Sequence, residues 1–275
     1  MIKKKVLSII LLLLATTAWT DESQEFPDYE EIECTIIEIE GTKVHPKKTF
    51  PNIQYSAPFR STNWSGYAVA PSFKEPTPGA VSHVRGSWTV PSIAASEHDT
   101  HCAIWIGMGG FLESSAQQIG TSHSWEAGQQ NNYAWFEMYP HGAYEIGKFP
   151  VDQGDTISAR VGYKGEDCFK LTLVNHTKRV FTTIPKVYTH CEGAERTSAE
   201  WIIEAPTSGS VLPLADFGTM TFNYCSANIN DIHGSIGDVR WNNDVITMGS
   251  ASEIKAFPSD LLKDGSCFQI TWQHE

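Results

Sequence analysis

The chain has 275 residues, a formal net charge of −12, 41% hydrophobic residues and six cysteines. So negative a surface repels phosphate backbones, which excludes a nucleic-acid partner. The cysteines are widely spaced and include no C-x-x-C pair, so disulfides stay open, with fifteen full pairings, while a zinc site has no convincing ligand set around His98, His101 and Cys102.

At the N-terminus, Lys3, Lys4 and Lys5 precede an apolar run from Val6 to Ala15 and small residues ending near Ala18, the layout of a secretory signal. About a dozen apolar residues fall short of the roughly 20 that a spanning helix needs. Residues 1–20 are therefore expected to be a cleaved signal peptide and the protein secreted or periplasmic, with no membrane span. Losing the three lysines takes the charge from −12 to −15. Residues 21–58 read as an acidic leader or pro-segment. Nine acidic residues and no lysine or arginine fill 21–40, and the chain then turns basic at Lys43, His45, Lys47 and Lys48. Proline and polar clusters continue to about Pro58, so the folded domain is expected over 59–275, long enough for one sizeable core.

The domain has the texture of β-structure. Ile157 to Tyr163 and Phe169 to Val174 alternate apolar with polar residues, and similar runs lie at Ser87–Val90, Trp135–Tyr139, Ala199–Ile203 and Thr219–Tyr224. No stretch keeps apolar residues at i, i+3, i+4 and i+7 for three turns, which excludes βαβ architectures. Many short strands in one domain predict two packed antiparallel sheets, each burying its apolar face on the other.

Several common hydrolase signatures are missing: G-x-S-x-G, H-E-x-x-H, and the Asp-Thr-Gly or Asp-Ser-Gly of paired-aspartate enzymes. His101-Cys102 and His190-Cys191 are sequence neighbours that a strand would point to opposite faces, a poor basis for a thiolate nucleophile. Polar and aromatic residues crowd three segments instead: Trp105 to Gly110, Gln118 to Thr121 and Trp135 to Pro140. In the last, alternation puts Trp135, Glu137 and Tyr139 on one face and Phe136 and Met138 on the other. Periodicity leaves open whether the Glu137 face is a cleft or solvent-exposed sheet.

The ordered strings Asn63-Trp-Ser-Gly-Tyr-Ala68, Gly86-Ser-Trp-Thr-Val-Pro91, Trp105-Ile-Gly107, Gln118-Ile-Gly-Thr121, Ala134-Trp-Phe-Glu-Met-Tyr-Pro140, Ser198 to Pro206 and Ala215-Asp-Phe-Gly218 resemble the glutamic peptidase (eqolisin) family. The resemblance implies an all-β fold, a β-sandwich of two curved antiparallel sheets in a concanavalin or lectin-like jelly roll, with a substrate cleft on its concave face. It implies a metal-free, cofactor-free acid endopeptidase, here expected to be a monomer acting on polypeptides, whose catalytic pair is Gln118 and Glu137. Glu137 would serve as base and then acid toward a water, and Gln118 would donate to the oxyanion. A glutamate carboxylate ordinarily titrates near about 4.3, which suits an acidic optimum. Trp64, Trp105 and Glu204 are carried over as substrate-side residues, and Asp216 matches a recurrent acid. Gln117 is a one-residue register hazard for Gln118. Met108-Gly109-Gly110 replaces an aspartate found after Trp-Ile-Gly in some members, and residues 225–275 receive no role. The alternative is a lectin-like carbohydrate-binding or glycoside-hydrolysing sandwich, with Glu137 and either Glu200 or Glu204 as its two carboxylates.

Overall fold

Alternating apolar residues shape the domain into a pile of antiparallel strands, because each strand can bury only every second side chain on one neighbour layer. The computed structural model describes residues 26–39, 59–250, 252–262 and 264–275. Residues 1–20, expected to be a signal peptide, and Lys43, His45, Lys47 and Lys48 lie outside them. Two strands come from the leader, β1 (Glu30–Glu31) and β2 (Thr35–Glu38). The domain continues with β3 (Phe59–Ser61), β4 (Trp64–Ala70), β5 (Val81–Thr89), β6 (Thr100–Gly109), β7 (Ala116–Glu126), β8 (Gln129–Tyr139) and β9 (Ala143–Gly147). Then follow β10 (Thr156–Gly165), β11 (Cys168–Asn175), β12 (Val180–Thr183), β13 (Ala199–Glu204), β14 (Thr207–Ser208) and β15 (Ser210–Val211). Last come β16 (Thr219–Ile229), β17 (Ile232–Ser235), β18 (Asn242–Gly249), β19 (Ile254–Pro258) and β20 (Phe268–Trp272). One 3-10 turn, Lys186–Tyr188, is the helical element among the described residues.

The pairings arrange these strands in two layers. The first sheet runs β18-β4-β13-β6-β7-β8-β9-β2. The second runs β20-β16-β5-β10-β11-β12-β1. β19 pairs with both β18 and β20, so the sandwich is one continuous ladder folded over on itself. Between the layers lie Val84, Trp88, Ile104, Ile106, Ile119, Phe136, Leu171, Trp201 and Phe222. The C-terminal residues that sequence left without a role close the second sheet through β16 and β20 and join the two layers through β19.

The described part of the leader pairs with the sandwich. β1 pairs in parallel with β12, and β2 pairs antiparallel with β9, so the leader covers an edge strand of each sheet. The physical reason lies in Ile32, Cys34 and Ile36, which alternate with acidic and polar residues and pack against the core. An edge strand offers unpaired backbone groups, and a segment with period-two apolar residues can take them up.

Candidate active site

The first sheet has a second apolar face, turned away from the sandwich interior. Trp64, Phe73, Trp105, Phe111, Trp135 and Ile202 form a buried cluster there, with Ile39 of the leader and Phe59 packed against it. The polar side chains of interest stand on this same face. Register places Glu200 of β13 opposite Gly107 of β6, Gly107 opposite Gln118 of β7, and Gln118 opposite Glu137 of β8. Four adjacent strands thus contribute one transverse row, and the glycine in it leaves room. A Cβ at Gly107 would stand 2.9 Å from the Trp105 ring and 3.3 Å from the Gln118 Cβ.

The Gln118 amide donates from Nε2 to Glu137 Oε2 at 2.5 Å. Gln117 faces the other way, into the sandwich interior, where its Nε2 lies 3.4 Å from the Cys191 sulfur. The backbone register therefore directs Gln118, not Gln117, at Glu137. Glu204 lies on the same face of β13 as Glu200, four residues along. Its Oε1 accepts from Asn63 Nδ2 at 2.8 Å and its Oε2 from Trp105 Nε1 at 3.0 Å. Asn63 is itself oriented by the Ser61 hydroxyl, which donates to Asn63 Oδ1 at 3.2 Å. Trp64 meets the Trp105 ring edge-on at 5.0 Å. Asn63 stood in the quoted sequence string without a role, and its contact with Glu204, 141 residues away, had no local signal to reveal it.

Gln118, Glu137, Glu204, Trp64 and Trp105 are all buried, with Glu137 only 2% exposed. The expected cleft face is thus covered, and Ile39 and Phe59, the residues that flank 40–58, both lie against its aromatic cluster. Asp216 is not drawn into the group. It lies in the Leu214–Gly218 segment, where its Oδ1 accepts from the Gly218 N–H at 2.9 Å. The His98, His101 and Cys102 trio also separates: His98 pairs with Glu275, His101 with Glu126, and Cys102 is buried in the core. Burial pushes the Cys102 thiol far up, which suits a packing residue and not a nucleophile. Among the described residues no helix is long and apolar enough to cross a membrane.

Two carboxylates and a carboxamide among aromatics can activate a water and stabilise an oxyanion, and the comparisons with known proteins bear on which bond they attack. A model of the peptidase A4 family matches residues 62–257. Aspergillopepsin-2 of Aspergillus niger is 27% identical over 222 residues, which cover 70% of this chain and 75% of that protein. Among solved structures, scytalido-glutamic peptidase with a transition-state analogue inhibitor matches with a TM-score of 0.63 at 19% identity, covering 78% of this chain and 99% of that one. Aspergilloglutamic peptidase from Aspergillus niger matches with a TM-score of 0.54 at 26% identity, over 63% of this chain and 99% of that one.

Proposed function

This chain belongs to the peptidase A4 (eqolisin) family and is a glutamic-type endopeptidase, and on that premise we propose that it cuts polypeptides in acid with a glutamate acting on water and Gln118 stabilising the oxyanion. The observation that carries the reading is the contact of the Gln118 amide with Glu137 on the aromatic face. In the first assignment, Glu137 takes a proton from the attacking water as it adds to the scissile carbonyl, then returns that proton to the departing amine. The second N–H of Gln118 donates to the carbonyl oxygen as it becomes negative.

One feature of the geometry favours a second assignment of the base. Glu137 Oε2 bonds the Gln118 amide directly at 2.5 Å, so that oxygen orients the donor instead of sharing a water with it. Glu204 is as deeply buried, and two neutral donors, Asn63 and Trp105, each hold one of its oxygens. In this assignment Glu204 activates the water through the lone pairs its two donors leave open, and Glu137 positions Gln118. Cleavage of denatured casein at about pH 3–5, around the ordinary glutamate range, separates the two. The base, replaced by glutamine, abolishes turnover. Removal of a carboxylate that only orients Gln118 costs at most the roughly 10²–10³ ascribed to an oxyanion donor. Both Glu137→Gln and Glu204→Gln cutting as well as wild type would overturn the proposal as a whole.

We further propose that residues 1–20 direct export and that 21–58 act as a pro-segment whose displacement opens the covered face. The support is the position of Ile39 and Phe59 on the aromatic cluster and the burial of Gln118 and Glu137. N-terminal sequencing of the active enzyme tests this, and a mature start before Lys43 would remove it.

A further inference from the structure

The outer face of the second sheet is basic, in a chain whose net charge is −12. Alternation turns His83, Arg85 and Ser87 outward from β5 while Val84 and Trp88 enter the core. On β10 it turns Ser158 and Arg160 outward and buries Ile157, Ala159 and Val161. Register then sets Arg85 directly opposite Arg160, with Ser87 opposite Ser158 on one side. On the other side His83 and Lys170 flank Gly162. Two guanidinium groups set opposite each other on adjacent strands raise the positive potential of this face and favour acidic groups beside it.

A cavity of about 360 Å³ opens on this face, lined in part by Arg85, Ser87, Ser158, Arg160 and His176 and by Phe26 of the leader. The Phe26 ring lies 5.4 Å from the Arg160 guanidinium carbon and 6.0 Å from the His176 ring. Tyr29 continues the contact, its hydroxyl 3.2 Å from His176 Nδ1, before β1 pairs with β12. Burial, with Arg160 and Arg85 adding to it, holds the His176 imidazole below its ordinary range, a sign of positive potential at the cavity wall. The five residues that precede Phe26 are Asp21, Glu22, Ser23, Gln24 and Glu25, three carboxylates with no basic residue among them. Five extended residues reach about 17 Å, enough to run from Phe26 past the Arg85 and Arg160 row.

We propose that this basic strip is the docking site for the chain's own acidic segment 21–25. Docking there anchors one end of the leader on the outer sheet, while its other end, β2, pairs with β9, the neighbour of the strand that carries Glu137. The inference is independent of which glutamate is the base.

Hydrogen exchange of the full chain near neutral pH tests it. The readout is the protection of the Glu30 and Ile32 amides, which donate to the Arg179 and Phe181 carbonyls at 2.9 and 2.8 Å. Three exposed charge contacts together correspond to about tenfold in protection. The variant D21N/E22Q/E25Q is expected to lose that factor, and R85Q/R160Q to lose the same. Combining the two sets should add nothing further. High salt should lower protection in wild type but not in the triple variant. Reversing both sides, with D21K/E22K/E25K and R85E/R160E combined, should restore protection. Undiminished protection in the triple variant overturns the proposal, as does a loss seen only on the arginine side, which would assign the strip to a different anion. The triple variant leaves the domain untouched, so it decides the matter even if R85Q/R160Q fails to fold.

Discussion

His123 gives the most direct test of how this fold responds to acid. It lies on β7 facing the sandwich interior and is fully buried. Trp88 Nε1 donates to Thr121 Oγ1 at 3.0 Å, which frees the Thr121 hydroxyl proton for His123 Nε2 at 2.8 Å. His123 Nδ1–H in turn donates to Asn132 Oδ1, also at 2.8 Å. The chain of bonds is complete only for a neutral imidazole. A proton at Nε2 would leave the Thr121 hydroxyl hydrogen with no acceptor there. Burial accordingly lowers the His123 pKa from 6.5 to about 4. Because the folded value lies below the unfolded one, the unfolded chain binds the proton first. Stability is whole above about pH 6.5 and falls as pH drops toward about 4, by roughly 3 kcal/mol for a shift of this size. His123→Gln removes the titration while keeping a polar side chain between Thr121 and Asn132. It is expected to cost about 1 kcal/mol at neutral pH. Its unfolding free energy, measured by urea at a series of pH values, should fall roughly 3 kcal/mol less than wild type between pH 7 and 4. His83, held at about pH 3 by burial and by Arg160 and Arg85, keeps a residual slope in both proteins, so the difference between them is the decisive quantity. Equal losses in wild type and variant would refute the reasoning.

Gly107→Ala should push the Trp105 ring and the Gln118 Cβ apart, costing about 1–3 kcal/mol of stability and weakening the Trp105 bond to Glu204. Casein cleavage should fall at least about tenfold while the circular dichroism spectrum stays that of a β-protein. Gln117→Leu should leave activity unchanged and keep or raise the melting temperature, because Gln117 Oε1 is buried without a hydrogen-bond partner among the described residues. Glu113 accepts from the backbone N–H groups of Arg196 and Thr197 and from the Thr197 and Ser115 hydroxyls. Glu113→Ala, by orphaning those donors, should lower the unfolding free energy by about 3 kcal/mol in a denaturant titration.

The strand at 157–163 was legible because it buries chiefly one face, so its alternation survives in the burial of β10, and the pattern of 169–174 located β11 although Thr172 and Val174 are buried on its other face as well. The leader was not, because its acidic side chains dominate the composition of 21–40 while the alternation of Ile32, Cys34 and Ile36 decides its pairing. Charge describes the solvent face of an edge strand, and the three apolar residues describe the face that binds. The same distinction explains the basic strip: His83, Arg85 and Arg160 are scattered singly in sequence and form a patch only once β5 and β10 are in register.

The candidate site presents the opposite case, where local sequence showed the residues but not their relation. Alternation correctly put Trp135 and Glu137 together against Phe136 and Met138, yet it could not say which face met the second sheet. That choice depends on the partners of β8. Gln118 was marked by its place before Ile119-Gly120-Thr121, yet periodicity gave it no preference over the adjacent Gln117, and strand pairing separates the two: one turns to Cys191 inside the sandwich, the other to Glu137 outside it. The register needs a strand between β13 and β7 that contributes no side chain at the level of Gln118, and Gly107 supplies it. A larger residue there would displace both Trp105, which holds Glu204, and Gln118, which touches Glu137. The glycine of the Trp-Ile-Gly string therefore ties the two candidate bases to a single geometry, so Gly107→Ala should impair catalysis whichever of them activates the water.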